Sequence, residues 1–128
     1  MTTKEHSGLS GQVIGAAMKV HSVLGPGLLE GTYEACLSYE LRKRGHCVLN
    51  QLPLPVIYDG VQMELGYRLD LLIDDTMIIE VKAVTKMLPV HEAQILSYLR
   101  LSGYKLGLLI NFHVPHLKDG IKRMVNQI

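Results

Sequence analysis

The chain has no tryptophan, a single phenylalanine and two cysteines, and none of its apolar runs approaches the roughly 18 residues that a membrane-spanning helix needs. Cys36 and Cys47 are too few for a disulfide scaffold, an all-thiolate zinc site or a four-cysteine iron–sulfur cluster, and they read as free core thiols. The opening Met1 to Ser10 is polar and lacks the apolar stretch of a signal peptide, so the chain reads as cytoplasmic with no membrane partner. An excess of one charge is missing as well: 13 Lys and Arg face 12 Asp and Glu, a formal net charge of +1. Many nucleic-acid-binding domains are strongly basic overall. Here any grip on phosphate has to come from local clusters, Arg42-Lys43-Arg44 or Lys122-Arg123, and any stacking on bases from six tyrosines.

What is present is a sequence that folds. A length of 128 residues with 48% hydrophobic and 20% charged residues points to one domain over 1–128, with about 1–9 as a flexible N-terminal segment. Ser10 can cap a helix whose apolar stripe runs through Val13, Ile14, Ala17, Met18, Val20, Val23 and Leu24, and Gly25-Pro26-Gly27 stops it. A second helix from about Leu28 to Arg44 carries three basic residues in its last turn and ends at Gly45. Strand-like segments follow at Cys47–Leu49 and Leu54–Tyr58, separated by prolines that imply an edge or a bulge, then the hairpin signal Asp59-Gly60. Val61 to Ile73 reads as one strand, Asp74-Asp75-Thr76 as a tight turn and Met77 to Val84 as another strand. Leu71-Leu72-Ile73 and Met77-Ile78-Ile79 are continuously apolar, which calls for helices on both faces of the sheet. A third helix starts at Pro89 and stops at Gly103, and Leu106–Phe112 is a strand expected to lie parallel to the one before it. Asp119 to Ile128 fits a short helix or an edge strand. The sum is an α/β sandwich around a mixed sheet.

The chemistry is concentrated in Arg68-Leu69-Asp70-Leu71-Leu72-Ile73 and Ile78-Ile79-Glu80-Val81-Lys82. Glu80 and Lys82 are two apart on a strand, so both leave the same face. A three-residue turn sets Asp70 directly opposite Glu80, with β-carbons roughly 5 Å apart. Two carboxylates that close among apolar strands repel and lose hydration unless a cation or a proton lies between them. Mg²⁺ and Mn²⁺ prefer such oxygen ligands, and Lys82 beside them can hold a water or offset phosphate charge. Glu80–Lys82 is also what a solvated charge pair on a strand looks like. In the second helix Glu30 shares a stripe with Tyr33, Leu37 and Leu41, either as a first-turn carboxylate favoured by the helix dipole or as a third acid aimed at the sheet. In the third helix His91, Gln94, Tyr98 and Leu101 share a face, which is either its exposed side or a set that orients water and phosphate.

Gly27-Leu28-Leu29-Glu30-Gly31-Thr32-Tyr33, flanked by Val20-His21 and Leu24-Gly25-Pro26, resembles the signature of the GxxExxY family, and the resemblance extends from about Ile14 to Val125. That family is placed in the PD-(D/E)XK nuclease superfamily. Asp70, Glu80, Val81 and Lys82 fit its metal-site strands, and Gln94-Ile95-Leu96-Ser97-Tyr98 is similar to the QxxxY motif of RecB-type nucleases. The resemblance implies a restriction-endonuclease-like fold and a metal-dependent phosphodiesterase site. Asp70, Glu80 and the Val81 carbonyl would ligate Mg²⁺ or Mn²⁺, with Glu30 contributing from the helix. Lys82 would position the attacking water, while Gln94, Tyr98 and Tyr33 would support Lys82 or the substrate. His21 and His91 stand beside this set, but a lone histidine on a helix face is more often structural. Leu69-Asp70 replaces the superfamily's Pro-Asp pair, and neither a cluster-binding cysteine set nor an added DNA-binding domain is evident.

The resulting expectation is a divalent-metal-dependent nuclease acting on DNA in preference to RNA. A catalytically inactive module that binds nucleic acid or protein is the alternative, and a hydrolase of small phosphorylated compounds is a third class. The edge around Pro53 to Tyr58 offers a surface for pairing into a homodimer.

Overall fold

In a computed structural model, residues 3–126 are described, with side chains from residue 8 onward. Helix α1 (Thr3–Leu24) and helix α2 (Glu30–Lys43) come first, followed by β1 (Val48–Pro53), β2 (Val56–Tyr58), β3 (Val61–Met63), β4 (Arg68–Ile73) and β5 (Met77–Lys82). Helix α3 (Pro89–Ser102), β6 (Leu106–Asn111), a 3₁₀ turn at Leu117–Gly120 and β7 (Ile121–Val125) complete the chain. Five strands form one sheet in the order β1-β4-β5-β6-β7, and β2 and β3 form a separate hairpin. Only β5 and β6 pair in parallel among the described strands, through the α3 crossover, so the sheet is mixed. This is the expected α/β architecture with helices on both faces.

One face packs Leu71, Ile73, Met77, Ile79, Val81, Leu108 and Ile110 against α1 and α2. The other packs Ile78 and Leu109 against Ile95, Tyr98 and Leu99 of α3. Helix α3 comes close to β6 because Gly107 presents no side chain there; a β-carbon would lie 3.0 Å from Ile95 Cδ1. That close seat is what brings the face of α3 carrying Gln94 and Tyr98 over the end of β5. Among the described residues no helix is long and apolar enough to cross a membrane.

Several local expectations are corrected. The first helix is already formed at Thr3, Leu9 and Ser10 are buried within it, and the Ser10 hydroxyl meets Arg123 Nε at 3.3 Å rather than capping a helix. Met1 and Thr2 of the expected N-terminal segment lie outside the described residues. The long strand expected from Val61 to Ile73 is two strands, because Glu64 to Tyr67 leave the pairing and Gly66 takes φ 82°. Pro53 closes β1 at the sheet edge and β2 belongs to the small hairpin, so Pro53 to Tyr58 is not one continuous edge available to a second copy. The C-terminal segment resolves into the 3₁₀ turn and the edge strand β7, while Gln127 and Ile128 lie outside the described residues. Cys36 is half-buried and Cys47 exposed, so the second is not a core thiol.

Candidate active site

The turn between α1 and α2 sets up the acidic end of α2. Gly25 and Gly27 take φ 68° and 103°, conformations a side chain would strain, and they reverse the chain around Pro26. Tyr33 pins that reversal: its hydroxyl donates to the Gly25 carbonyl at 2.5 Å and accepts from the Leu28 N–H at 3.1 Å. The Tyr33 ring is fully buried and stacks on Phe112 with centroids 4.6 Å apart. Tyr33 therefore acts inside the core rather than at a substrate. The spacing of Gly27, Glu30 and Tyr33 has a physical meaning, since the glycine permits the turn, the tyrosine locks it, and α2 begins with Glu30 at its positive dipole end.

The β4–β5 pairing has the expected register, with Leu71, Leu72 and Ile73 opposite Ile79, Ile78 and Met77. Past Leu71 the backbone ladder gives way to the two acids. The Asp70 N–H donates to Glu80 Oε2 at 2.9 Å, and the Val81 N–H donates to Asp70 Oδ2 at 2.8 Å. Each carboxylate thus takes a main-chain partner and keeps its other oxygen, Asp70 Oδ1 or Glu80 Oε1, outside the clasp. Glu80 is 3% exposed. Burial, and then the neighbouring Asp70 charge, push its pKa up to about 8. Burial also raises Asp70, against the Val81 hydrogen bond and the Lys82 charge. Glu30, at the rim, is raised by loss of hydration, opposed by Lys82 and reinforced by Asp70.

Lys82 is half-buried, and its Nζ donates to Gln94 Oε1 at 3.1 Å. Gln94 Nε2 in turn lies 2.9 Å from the Tyr98 hydroxyl. This chain fixes the ammonium from the α3 side while Asp70, Glu80 and Glu30 act on it from the sheet and from α2. The fold therefore brings Glu30, Asp70, Glu80, Val81, Lys82, Gln94 and Tyr98 to one end of the sheet. It does not bring His21 there: His21 Nε2 meets the Val114 carbonyl at 2.8 Å, next to Phe112. His91 serves α3, accepting the Leu88 N–H at Nδ1.

Two residues at this end escaped sequence reasoning. Glu34 lies one turn beyond Glu30, and its pKa is raised by burial and by the Asp70 charge. Gln51 of β1 donates from Nε2 to Glu34 Oε1 at 2.7 Å and to Asp70 Oδ1 at 3.4 Å. The four-residue spacing of Glu30 and Glu34 was a readable signal; nothing local marked Gln51. The basic clusters are largely engaged within the fold. Arg42 bonds the Val48 carbonyl and Asn50, Arg44 pairs with Glu40, and Lys122 pairs with Glu92 at 2.7 Å.

Among the described residues no group of three or more His, Cys, Asp or Glu side chains could hold a metal ion, so Glu30 does not complete a three-acid cage with Asp70 and Glu80. The donor set fits an open one. Two desolvated carboxylates, each with an oxygen outside the clasp, suit a hard divalent ion that accepts one or two protein carboxylates and completes its shell with water. Residues 7–124 match the family model described as the PD-(D/E)XK nuclease superfamily. No curated protein and no solved structure matches. Because the family match runs from within α1 to within β7 and takes in every residue of this cluster, the chain belongs to the PD-(D/E)XK nuclease superfamily.

Proposed function

We propose that this protein is a divalent-metal-dependent phosphodiester hydrolase acting on DNA in preference to RNA, in the GxxExxY branch of the superfamily. The observation that carries the reading is the crosswise clasp of Asp70 and Glu80 beside Lys82, which is itself held by Gln94 and Tyr98. Asp70 and Glu80, with the Val81 carbonyl, would hold Mg²⁺ or Mn²⁺, and Glu30 stands at the rim of that site. When bound, that ion supplies charge to the scissile phosphate and lowers the pKa of water. Lys82 orients the attacking water and offsets charge on the phosphate oxygens, since its ammonium is held by Gln94. Gln94 holds Lys82 in that position, and Tyr98 holds Gln94. Gln94 and Tyr98 stand in the spacing of the RecB-type QxxxY motif, and the preference for DNA rests on that resemblance.

The test is cleavage of labelled single- and double-stranded DNA and RNA with Mg²⁺ or Mn²⁺. The reading expects hydrolysis of DNA that chelator abolishes and that Lys82→Ala and Asp70→Ala both lose. Cleavage that persists in Lys82→Ala, or wild-type protein that binds nucleic acid without hydrolysing it under either metal, overturns it.

A further inference from the structure

Strand β1 holds a residue whose backbone no regular strand requires. Gln51 has φ 52°, in the left-handed region that side chains other than Asn and Asp rarely enter. The register places it between the pairs Asn50–Leu71 and Leu52–Leu69, so it stands opposite Asp70.

The alternation of faces reverses at this one position in both strands. Residues two apart on a strand share a face. On β1, Val48 packs with the α1/α2 core, yet Leu52 packs with the α3 core. On β4, Leu71 and Ile73 belong to the α1/α2 core, yet Leu69 belongs to the α3 core. Adjacent residues Asn50 and Gln51 consequently both reach α2, Asn50 through Ser38 and Arg42 and Gln51 through Glu34. Asp70 lies at the reversal, and its Oδ1 faces the same Gln51 amide at 3.4 Å.

We propose that Gln51 is a positioning residue for the metal-binding carboxylates: its left-handed backbone sets the reversal that turns Asp70 toward α2, and its amide spaces Asp70 from Glu34. The inference rests on the metal-site reading above and extends it to a residue outside every motif of the sequence. An uncharged amide with two N–H donors is the group that can satisfy two carboxylates at once without neutralising either. A strained conformation kept at such a place costs the fold and serves the site.

The test combines calorimetric Mn²⁺ binding with thermal melting of the metal-free protein for wild type, Gln51→Gly, Gln51→Ala and Asp70→Ala. Glycine adopts φ 52° without strain, so Gln51→Gly is expected to melt at or above the wild-type temperature. Its Mn²⁺ affinity is expected to fall by about tenfold to a hundredfold, as for loss of a residue that orients a ligand. Gln51→Ala keeps the strain and loses the amide, so it is expected to lose affinity and to melt below Gln51→Gly. Wild-type affinity in Gln51→Gly overturns the inference while leaving the metal site intact. A Gln51→Gly protein that loses both stability and affinity assigns Gln51 to the fold alone and also overturns it. Wild type that binds no Mn²⁺ overturns the site reading, and this inference with it.

Discussion

At the turn end of the β4–β5 hairpin, Ile73 pairs with Met77 and Leu72 with Ile78, and all four side chains are buried. At the open end the same register brings Asp70 to Glu80, but carboxylates take over the main-chain hydrogen bonds. The turn end buries apolar surface at no electrostatic cost. The open end buries a carboxyl whose pKa is driven to about 8. One hairpin thus carries a stabilising half and a destabilised half, and the second is tolerated because the first, with two flanking helix layers, holds the strands together. The lesson is that the acids are placed by a register the apolar residues determine.

The contrast can be broken from either end. The largest effect is expected from Lys82→Ala, which removes the only cation the geometry directs at the acids from β5: the proposed DNA cleavage should fall by about a hundredfold to a thousandfold, with an unchanged circular dichroism melt. At the turn end, Ile78→Ala creates a cavity in a fully buried position and should cost about 2–5 kcal/mol, read from urea unfolding. The two halves then separate function from stability, and a large loss of stability in Lys82→Ala would erase the distinction.

The pH dependence sharpens the comparison further. Glu80 has its folded pKa raised from 4.5 to about 8, so between those values the native state binds more protons than the unfolded chain. The stability it contributes is fully present below pH 4.5 and is lost as pH rises through about 8. Metal-free wild type should therefore unfold more easily at pH 8 than at pH 5, and Glu80→Gln should flatten that slope. Mn²⁺, which needs the ionised carboxylate, should bind more tightly as pH rises over the same window. The smallest effect belongs to the turn before α2: Tyr33→Phe removes the hydroxyl that bridges Gly25 and Leu28 and should cost about 1–2 kcal/mol in a denaturant titration.

Sequence patterning was sufficient for the order of the helices and central strands, the Asp74-Asp75 turn and the register that sets Asp70 against Glu80. These follow from short-range rules: apolar periodicity, glycine and proline punctuation, and turn length. Helical spacing put Glu30, Gln94 and Tyr98 on defined stripes but left open what those stripes face, and the family resemblance singled the three out. The break at Glu64 to Tyr67 and the early start of α1 were not, because the first depends on where β3 leaves the sheet and the second on burial of Leu9 and Ser10 against the rest of the fold. His21 and Tyr33 show the same limit, since only the packed core reveals that their polar atoms are satisfied by Val114, Gly25 and Leu28.

By itself, then, the sequence determined the sheet's central hairpin, its helical cover and the identity of the residues that carry charge into it. Tertiary structure alone decided which of those charges converge, that Lys82 leans on Gln94, and that Gln51 reverses the strand faces beside Asp70. The physical reason is range. Periodicity and turn chemistry act over a few neighbouring residues, whereas burial, desolvation and the meeting of Glu34, Gln51 and Asp70 from three separate elements exist only once the layers have packed.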